Sequence, residues 1–266
     1  MKFSIVTISF NQAPFLEKAI RSVIDQDYSE IEYIVVDPGS LDGSREIINR
    51  YRDRIDKVIF EPDCGPADGL NKGFSQATGQ IFGFLNSDDY LLPGALAKVA
   101  SAFSSANHKD VLSGHCVIVD DKDQVTSYFR SRRYSPLRYV YGAGTLAQQS
   151  TFFRADAFRR AGGFNPENRI AWDGELWVDL ALSGARFGRL NQYLSAFRIY
   201  NESISGAGGH RSDAYQAYRD KMWLKVKRRP RRSYDAALRL FFKAVEYGLD
   251  PATVGNRLIW GSISTR

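Results

Sequence analysis

The sequence predicts an α/β protein with a mostly parallel sheet and helices on both of its faces. Up to about residue 106, short apolar runs of strand length alternate with helix-like segments, as is typical of βαβ units. The strand-like runs are apolar throughout, which is expected when helices cover both faces of a sheet. Each run also ends in polar or acidic residues, so a ligand site is predicted beyond the carboxyl ends of the strands.

Four strands are predicted in this part of the chain, at residues 3–9, 31–37, 57–61 and 80–86. A helix is predicted after each strand, because apolar residues recur at helical spacing from Leu16, Ile47, Leu70 and Leu96 onward. Asn11 is the predicted N-cap of the first helix.

The pattern changes after residue 107. Residues 110–120 and 124–130 are predicted to form a hairpin, and residues 148–154 and 193–200 are predicted as further strands. A helix is expected to start near Asp173, and the chain is predicted to be helical from His210 onward, with a break at 228–232.

Composition indicates an ordinary globular protein, with 44% apolar and 25% charged residues among 266. No apolar run reaches the roughly 18–20 residues of a membrane span. The two cysteines, Cys64 and Cys116, are far apart, which predicts neither a disulfide framework nor a zinc site and makes the cytoplasm the expected compartment.

The positive charge is concentrated near the C-terminus. Residues 206–266 contain 13 Lys/Arg and 5 Asp/Glu, whereas the remainder has 23 basic and 25 acidic residues. This asymmetry argues against a nucleic-acid partner and indicates a basic tail that could meet an anionic surface.

Two adjacent carboxylates, Asp88 and Asp89, follow the fourth strand. They could form a solvated turn that caps the next helix, or a site for a hard cation such as Mg²⁺ or Mn²⁺ together with substrate phosphate oxygens. Asp37 ends the second strand, where it could stabilise a turn or bind a ribose or base. The chain has no GxGxxG and no GxxxxGK[ST] motif, which disfavours dinucleotide dehydrogenases and P-loop enzymes.

Four segments occur in order at matching intervals: "SIVTISFNQAPFLEKAIRSVIDQDY", "EYIVVDPGSLDGS", "GLNKGFSQATGQIFGFLNSDDYLLPGAL" and "AWDGELWVDLALSG". In these the chain resembles glycosyltransferases of family 2, which have the GT-A fold. The resemblance implies a catalytic domain at 1–205, with a nucleotide-binding half (1–106) and an acceptor-binding half (107–205). A basic helical extension at 206–266 follows it. It also implies inverting sugar transfer from a nucleoside-diphosphate sugar and a divalent cation, Mn²⁺ or Mg²⁺.

The resemblance assigns donor binding to residues that match the family's nucleotide-site segments: Thr7, Ser9, Asp37, Ser40, Asp63, Asp68, Asn71, Lys72, Asn86, Ser87, Arg198 and Tyr200. "NSD" occupies the family's DXD position, which makes Asp88 the expected metal ligand. The chain departs from the family at Asn86, which replaces an Asp, and at Tyr200, which replaces a His. His210 is a candidate for the missing imidazole, against the alternative of a surface or helix-cap His.

Asp173 matches the family's catalytic base, for which simple capping of the helix is the alternative. Gln148, Gln149, Trp172 and Glu175 match the acceptor region, although Gln149 could instead satisfy buried backbone groups.

The predicted activity is transfer from a UDP-sugar to a hydroxyl of a surface glycan or lipid-linked glycan. The competing hypotheses are a sugar-nucleotide pyrophosphorylase and a non-catalytic glycan-binding GT-A domain. The C-terminal helices could pack on the domain with a solvated basic edge or contact anionic lipid at the inner face of the membrane.

Overall fold

A computed structural model describes residues 1–106, 108–201, 203 and 212–249 of the chain. His210, the candidate imidazole ligand, lies outside the described residues. Within the described part, no helix is both long enough and apolar enough to cross a bilayer.

The described strands form one sheet in the order β3-β2-β1-β4-β8-β6-β9-β5, with β7 paired to β6. Its members are β1 (Phe3–Ile8), β2 (Ile31–Val36), β3 (Lys57–Ile59), β4 (Ile81–Asn86), β5 (Tyr90–Leu91), β6 (Val111–Val119), β7 (Val125–Phe129), β8 (Thr151–Arg154) and β9 (Phe187–Arg198). Strands β1 to β4 are mutually parallel, as predicted. The other half is mixed, because β8 pairs antiparallel with β4 and β6 while β9 runs parallel to β6.

Helices cover both faces of the sheet, which confirms the predicted fold class. They are α1 (Ala13–Ile24), α2 (Ser44–Arg50), α3 (Pro66–Ser75), α4 (Ala95–Ser105), α5 (Pro136–Val140), α6 (Ala155–Ala161), α7 (Trp172–Leu182), α8 (Asp213–Lys227) and α9 (Tyr234–Leu249). Helices α1, α2 and α4 pack on one face, against side chains such as Ile5 and Val35. Helices α3, α6 and α7 pack on the other, against the alternate side chains Val6 and Ile34.

The C-terminal helices pack on α5 and α7 rather than on the sheet. Tyr218, Met222 and Trp223 of α8 form a third apolar cluster with Tyr141 and Val178, and Phe242 of α9 joins it. Two local predictions were wrong. Gln12, not Asn11, is the N-cap residue of α1, and Asn11 has a left-handed backbone and accepts a hydrogen bond from the Leu41 N–H. Gln148–Ser150 form a 3₁₀ turn, so the strand predicted at 148–154 starts only at Thr151.

Candidate active site

A cleft of about 870 Å³ opens beyond the carboxyl ends of the parallel strands. Its walls come from the ends of β1 and β4, the loop before α3, the segment before β8, the start of α7 and the end of β9. This is the edge at which the sequence predicts a ligand site, because the polar groups that end neighbouring parallel strands converge there.

Eleven of the predicted site residues line this cleft. They are Ser9, Asp63, Asn86, Ser87, Asp88, Gln148, Gln149, Trp172, Asp173, Arg198 and Tyr200. The structure therefore places the proposed metal ligand, the proposed base and three of the four proposed acceptor residues around one cavity, although they lie up to 85 positions apart in the sequence.

Several buried polar atoms of the cleft have no hydrogen-bond partner among the described residues: Ser9 Oγ, Asn86 Oδ1, Gln149 Nε2 and Trp172 Nε1. A buried polar group without a partner costs about 1–3 kcal/mol. Four such atoms on the walls of one cavity indicate that a polar ligand completes their hydrogen bonding. For Gln149, the unpartnered Nε2 favours the predicted role in binding over the satisfaction of buried backbone.

The Asn86–Asp89 segment presents oxygen atoms to the cleft. Asn86 Nδ2 donates to Gln148 Oε1 at 3.3 Å, which leaves the Asn86 carbonyl oxygen for a ligand. The Asp88 carboxylate accepts one long hydrogen bond, 3.4 Å, from the Tyr200 hydroxyl. Asp89 is turned away from the cleft, and its Oδ1 accepts from the backbone N–H of Arg198 at 2.9 Å.

Burial raises the pKa of Asp88, and burial together with the Asp88 charge raises the pKa of Asp89 well above its ordinary value. A cation bound in the cleft would stabilise the ionised form of these neighbouring desolvated carboxylates. The residues fit a hard divalent cation, since the Asp88 carboxylate and the Asn86 amide supply oxygen ligands and a bound diphosphate would supply more. Within the described ranges there is no group of three or more His, Cys, Asp and Glu side chains suited to a metal, so this part of the chain offers few ligands.

Arg198 holds the Asn86–Asp89 segment in place. Its Nε donates to the Asp88 carbonyl at 2.9 Å, and its Nη1 and Nη2 donate at 2.7 Å to the Asp120 carbonyl and the Asp123 carboxylate. Lys18 of α1 pairs with the same Asp123 carboxylate at 2.8 Å. All three guanidinium nitrogens of Arg198 therefore donate to protein oxygens. These bonds stabilise the Asn86–Asp89 loop, and they compete with any contact between the guanidinium and a diphosphate.

Tyr200 closes the cleft beside Asp88. Its single O–H is shared between Gln12 Oε1 at 3.1 Å and the Asp88 carboxylate at 3.4 Å, and its ring lies against Phe15 with centroids 4.9 Å apart. Burial, followed by the Asp88 charge, raises the Tyr200 pKa, so the phenol remains neutral and can donate a hydrogen bond.

Asp173 lies on the cleft wall in the first turn of α7. Burial raises its pKa, although backbone N–H groups at the start of the helix act in the opposite direction. Behind it, Tyr139 of α5 and Tyr218 of α8 join their hydroxyls at 2.8 Å. The carboxylate charge helps to raise the pKa of both phenols, which shows that they lie close to it.

The remaining donor candidates lie outside the cleft lining. Thr7 is buried and accepts from the Tyr33 hydroxyl, while Ser40 Oγ accepts from the Asn11 N–H. Asp37 is fully buried behind Pro38, and its Oδ1 accepts from Ser40 N and Arg45 Nε. Its Oδ2 has no partner among the residues described.

Asp68, Asn71 and Lys72 hold the loops at the base of the cleft. Asp68 accepts from the Cys64 N–H, and Lys72 donates to the Pro62 carbonyl. Asn71 donates to the Phe164 carbonyl and accepts from its N–H, at 2.8 and 3.0 Å. These side chains do not line the cleft, but their hydrogen bonds fix the loops that do.

Glu175, a predicted acceptor residue, does not line the cleft. It is buried on the opposite side of α7, where Asn168 donates to it at 2.7 Å. Lys221 and Lys225 of α8 pair with it at 3.4 and 3.5 Å. Burial opposes ionisation, but these hydrogen bonds and charges lower its pKa, so it stays charged.

The cleft residues that the sequence interpretation did not assign include Phe10, Gln12 and Arg169. Phe10 exposes 59% of its surface, which is unusual for a large aromatic side chain. Arg169 lies over Gly65 and has no acidic partner among the described residues. The sequence feature that could have indicated Arg169 is its position, as a cation in the loop just before the "AWDGELW" segment.

Comparison with known proteins agrees with this geometry. Residues 4–160 match the model of glycosyl transferase family 2. The chain is 35% identical over 225 residues to an uncharacterized glycosyltransferase of Nostoc, which covers 80% of this chain and 68% of that protein. It is 26% identical over 205 residues to TuaG of Bacillus subtilis, a glycosyltransferase named for teichuronic acid biosynthesis, with 76% and 81% covered.

Solved structures resemble the whole fold. TarS 1–349 of S. aureus in complex with UDP-GlcNAc superposes with a TM-score of 0.63 at 22% identity, over 85% of this chain and 71% of that one. The mannosyltransferase PcManGT of Pyrobaculum calidifontis, in complex with GDP-Man and Mn²⁺, gives 0.65 at 17% identity, over 92% and 69%. At these identities the likeness establishes the fold, and it confirms the predicted GT-A architecture.

Proposed function

The chain belongs to glycosyltransferase family 2, and we propose that it transfers a sugar from a UDP-sugar to a hydroxyl group of a glycan or lipid-linked glycan. We further propose that the anomeric configuration is inverted and that Mn²⁺ or Mg²⁺ is required. The observation that carries the proposal is that Asp88 and Asp173 line one cleft in which four buried polar atoms have no hydrogen-bond partner among the described residues.

The donor end of the cleft is assigned to the side formed by β1, β4 and the loop before α3. The exposed Phe10 ring offers a flat surface on which a base can stack, and Ser9 and Asp63 supply polar groups beside it. Arg169 supplies a cation that no described acidic group neutralises, as a diphosphate requires. The UDP-GlcNAc complex of TarS supports a UDP-sugar as the donor.

Asp88 and Asn86 would hold the divalent cation, with diphosphate oxygens completing its ligand set. Bound there, the cation would neutralise charge on the leaving diphosphate. The Mn²⁺ in the PcManGT complex supports this assignment. Arg198 keeps the two oxygen donors in position through its hydrogen bond to the Asp88 carbonyl.

Asp173 is the proposed general base. The acceptor hydroxyl oxygen bonds to the anomeric carbon, while the bond from that carbon to the diphosphate oxygen breaks and the diphosphate leaves with the electron pair. The hydroxyl proton passes to the Asp173 carboxylate, whose raised pKa makes it a better base than a solvated Asp. Attack from the face opposite the leaving group inverts the anomeric centre.

Gln148, Gln149 and Trp172 form the proposed acceptor wall, since Gln149 Nε2 and Trp172 Nε1 are buried donors without described partners. The teichuronic acid name of TuaG supports a cell-surface polysaccharide as the acceptor class. We place the enzyme in the cytoplasm, at the inner face of the membrane when the acceptor is lipid-linked.

The test compares Asp173→Asn with Asp179→Asn, a carboxylate on the same helix outside the cleft. UDP with Mn²⁺ should raise the melting temperature of both variants as it does for the wild type. Sugar transfer, screened with a panel of sugar nucleotides, should fall by roughly 10²–10⁴-fold in Asp173→Asn alone. Unchanged transfer would exclude Asp173 as the base, and binding of UDP without any transfer by the wild type would favour a non-catalytic domain.

A further inference from the structure

Helix α9 buries its two acidic residues beside the inward-packed Phe242 and leaves other large apolar side chains exposed. Asp235 accepts hydrogen bonds at 2.7 Å from Arg229 and from the Tyr141 hydroxyl. Glu246 accepts from the Gly144 N–H at 3.1 Å. Both carboxylates are buried, so the side of this helix that faces the protein carries polar groups as well as Phe242.

The opposite side of α9 is an exposed apolar ridge. It is centred on Leu240 and Phe241, which expose 70% and 59% of their surfaces, and Tyr234 and Leu238, at 49% and 36%, lie at its edge. At about 100° per residue, Leu240 and Phe241 lie roughly 120–140° around the helix axis from both Asp235 and Glu246. A helix that packs on a soluble domain normally has the reverse polarity, with its apolar stripe inward.

The segment that carries the apolar ridge is rich in cations. The described C-terminal residues 212–249 contain 10 Lys/Arg and 4 Asp/Glu. The side chains of Arg228 and Arg232, in the turn that leads into α9, are exposed and have no ion pair among the described residues. Arg231, in the turn between α8 and α9, pairs with Asp220 of α8 at 3.1 Å. Leu224, one helical turn after Asp220, adds another exposed apolar side chain.

We propose that the apolar ridge of α9 docks into the surface of an anionic lipid bilayer, with the cations of this segment at the level of the headgroups. A protruding apolar helix face flanked by Lys and Arg is typical of interfacial helices. A second copy of the chain fits less well, because it would bring two net positive surfaces together. This inference rests on the proposed function, because a lipid-linked acceptor would explain why the enzyme binds a membrane surface.

Co-sedimentation of the full chain with vesicles tests this surface. The wild type should bind vesicles that contain phosphatidylglycerol, bind pure phosphatidylcholine more weakly, and release as salt is raised. Leu240→Ser/Phe241→Ser should weaken binding by about tenfold or more. Arg228→Gln/Arg232→Gln should weaken it by about fivefold per cation removed. Leu182→Ser/Val125→Ser, which removes two exposed apolar side chains elsewhere, should bind as the wild type does.

Full binding by Leu240→Ser/Phe241→Ser, or no wild-type binding to anionic vesicles, would overturn the proposal. A wild-type dimer that the same double variant converts to a monomer would assign the ridge to a second copy instead. Because vesicle binding is measured without donor or acceptor, it is independent of catalysis. Failure of sugar transfer to a soluble acceptor would count against the proposed function and leave the lipid surface unaffected.

Discussion

Substitution of Gly174 by Ala tests how closely the tyrosine pair packs behind the proposed base. Gly174 follows Asp173 in the first turn of α7, and a Cβ atom there would lie 2.1 Å from the Tyr139 hydroxyl and 2.7 Å from the Tyr218 hydroxyl. Neither distance is sterically allowed. Because the phenols are bonded to each other at 2.8 Å and largely buried, both must shift and their hydrogen bond must lengthen or break.

The expected free-energy change follows from three contributions. Overpacking a buried site costs about 1–3 kcal/mol. Loss of the hydrogen bond between the two hydroxyls adds about 1 kcal/mol. Ala is a better helix former than Gly by up to about 1 kcal/mol, which opposes these costs. Gly174→Ala should therefore lower the free energy of unfolding by about 1–3 kcal/mol.

Urea denaturation measures the stability, and sugar-transfer kinetics measure the effect on the base. We expect kcat to fall by roughly tenfold or more, because the shifted phenols move the start of α7, while KM for the donor changes little. Gly248→Ala in α9 is the control, since a Cβ there would meet no atom within 4 Å. Adding Tyr139→Phe to Gly174→Ala removes the closest clash and should restore part of the stability. Wild-type stability and kcat in Gly174→Ala would refute this description of the packing.

Three further predictions concern ionisable groups. Burial raises the pKa of Asp173, so kcat should rise with pH through that raised pKa and then level off; a pH–rate profile without an acid limb would contradict its role as base. Burial would raise the pKa of Glu32, but hydrogen bonds from Ser4 and Thr78 help to lower it from 4.5 to about 2. Its contribution, about 3 kcal/mol, is therefore complete above pH 4.5 and is lost as the pH falls toward 2. In acid denaturation, Glu32→Gln should remove that part of the pH dependence, and an unchanged curve would show that Glu32 is not its source. Arg198→Lys removes the planar guanidinium, whose three hydrogen bonds fix the Asn86–Asp89 loop. The KM for the donor, measured with Mn²⁺, should therefore rise by roughly tenfold. An unchanged KM would argue against a positioning role for Arg198.

The parallel half of the fold could be predicted because its strands carry a local signal. Each of β1, β2 and β4 is a mostly apolar, buried run that ends at a turn, and its helix follows at regular spacing. The two-residue strand β5 was missed, because two residues show no periodicity and its pairing with β9 is a tertiary contact. The short helices α5 and α6 were missed for a similar reason, since five and seven residues give too little helical pattern.

The candidate site divides in the same way between local motifs and distant contacts. Asp88 and Asp173 belong to local segments, and both line the cleft. The role of Arg198 depends on Asp120 and Asp123, which are 78 and 75 positions away, so no sequence pattern could reveal it. Glu175 was a different kind of error. Residues two positions apart on a helix project from nearly opposite sides of it, so Asp173 and Glu175 could not both face the acceptor.

That geometry also connects the proposed base to the C-terminal helices. One side of α7 presents Asp173 to the cleft, while the other buries the Glu175 carboxylate against Lys221 and Lys225 of α8. A buried carboxylate that loses its cations costs roughly 3 kcal/mol. Removal of α8 would also take away Tyr218 and so expose Gly174 and the Tyr139 hydroxyl. A chain cut at residue 205 would therefore leave α7 without its outer support, and we expect the start of this helix to lose the position that the base requires.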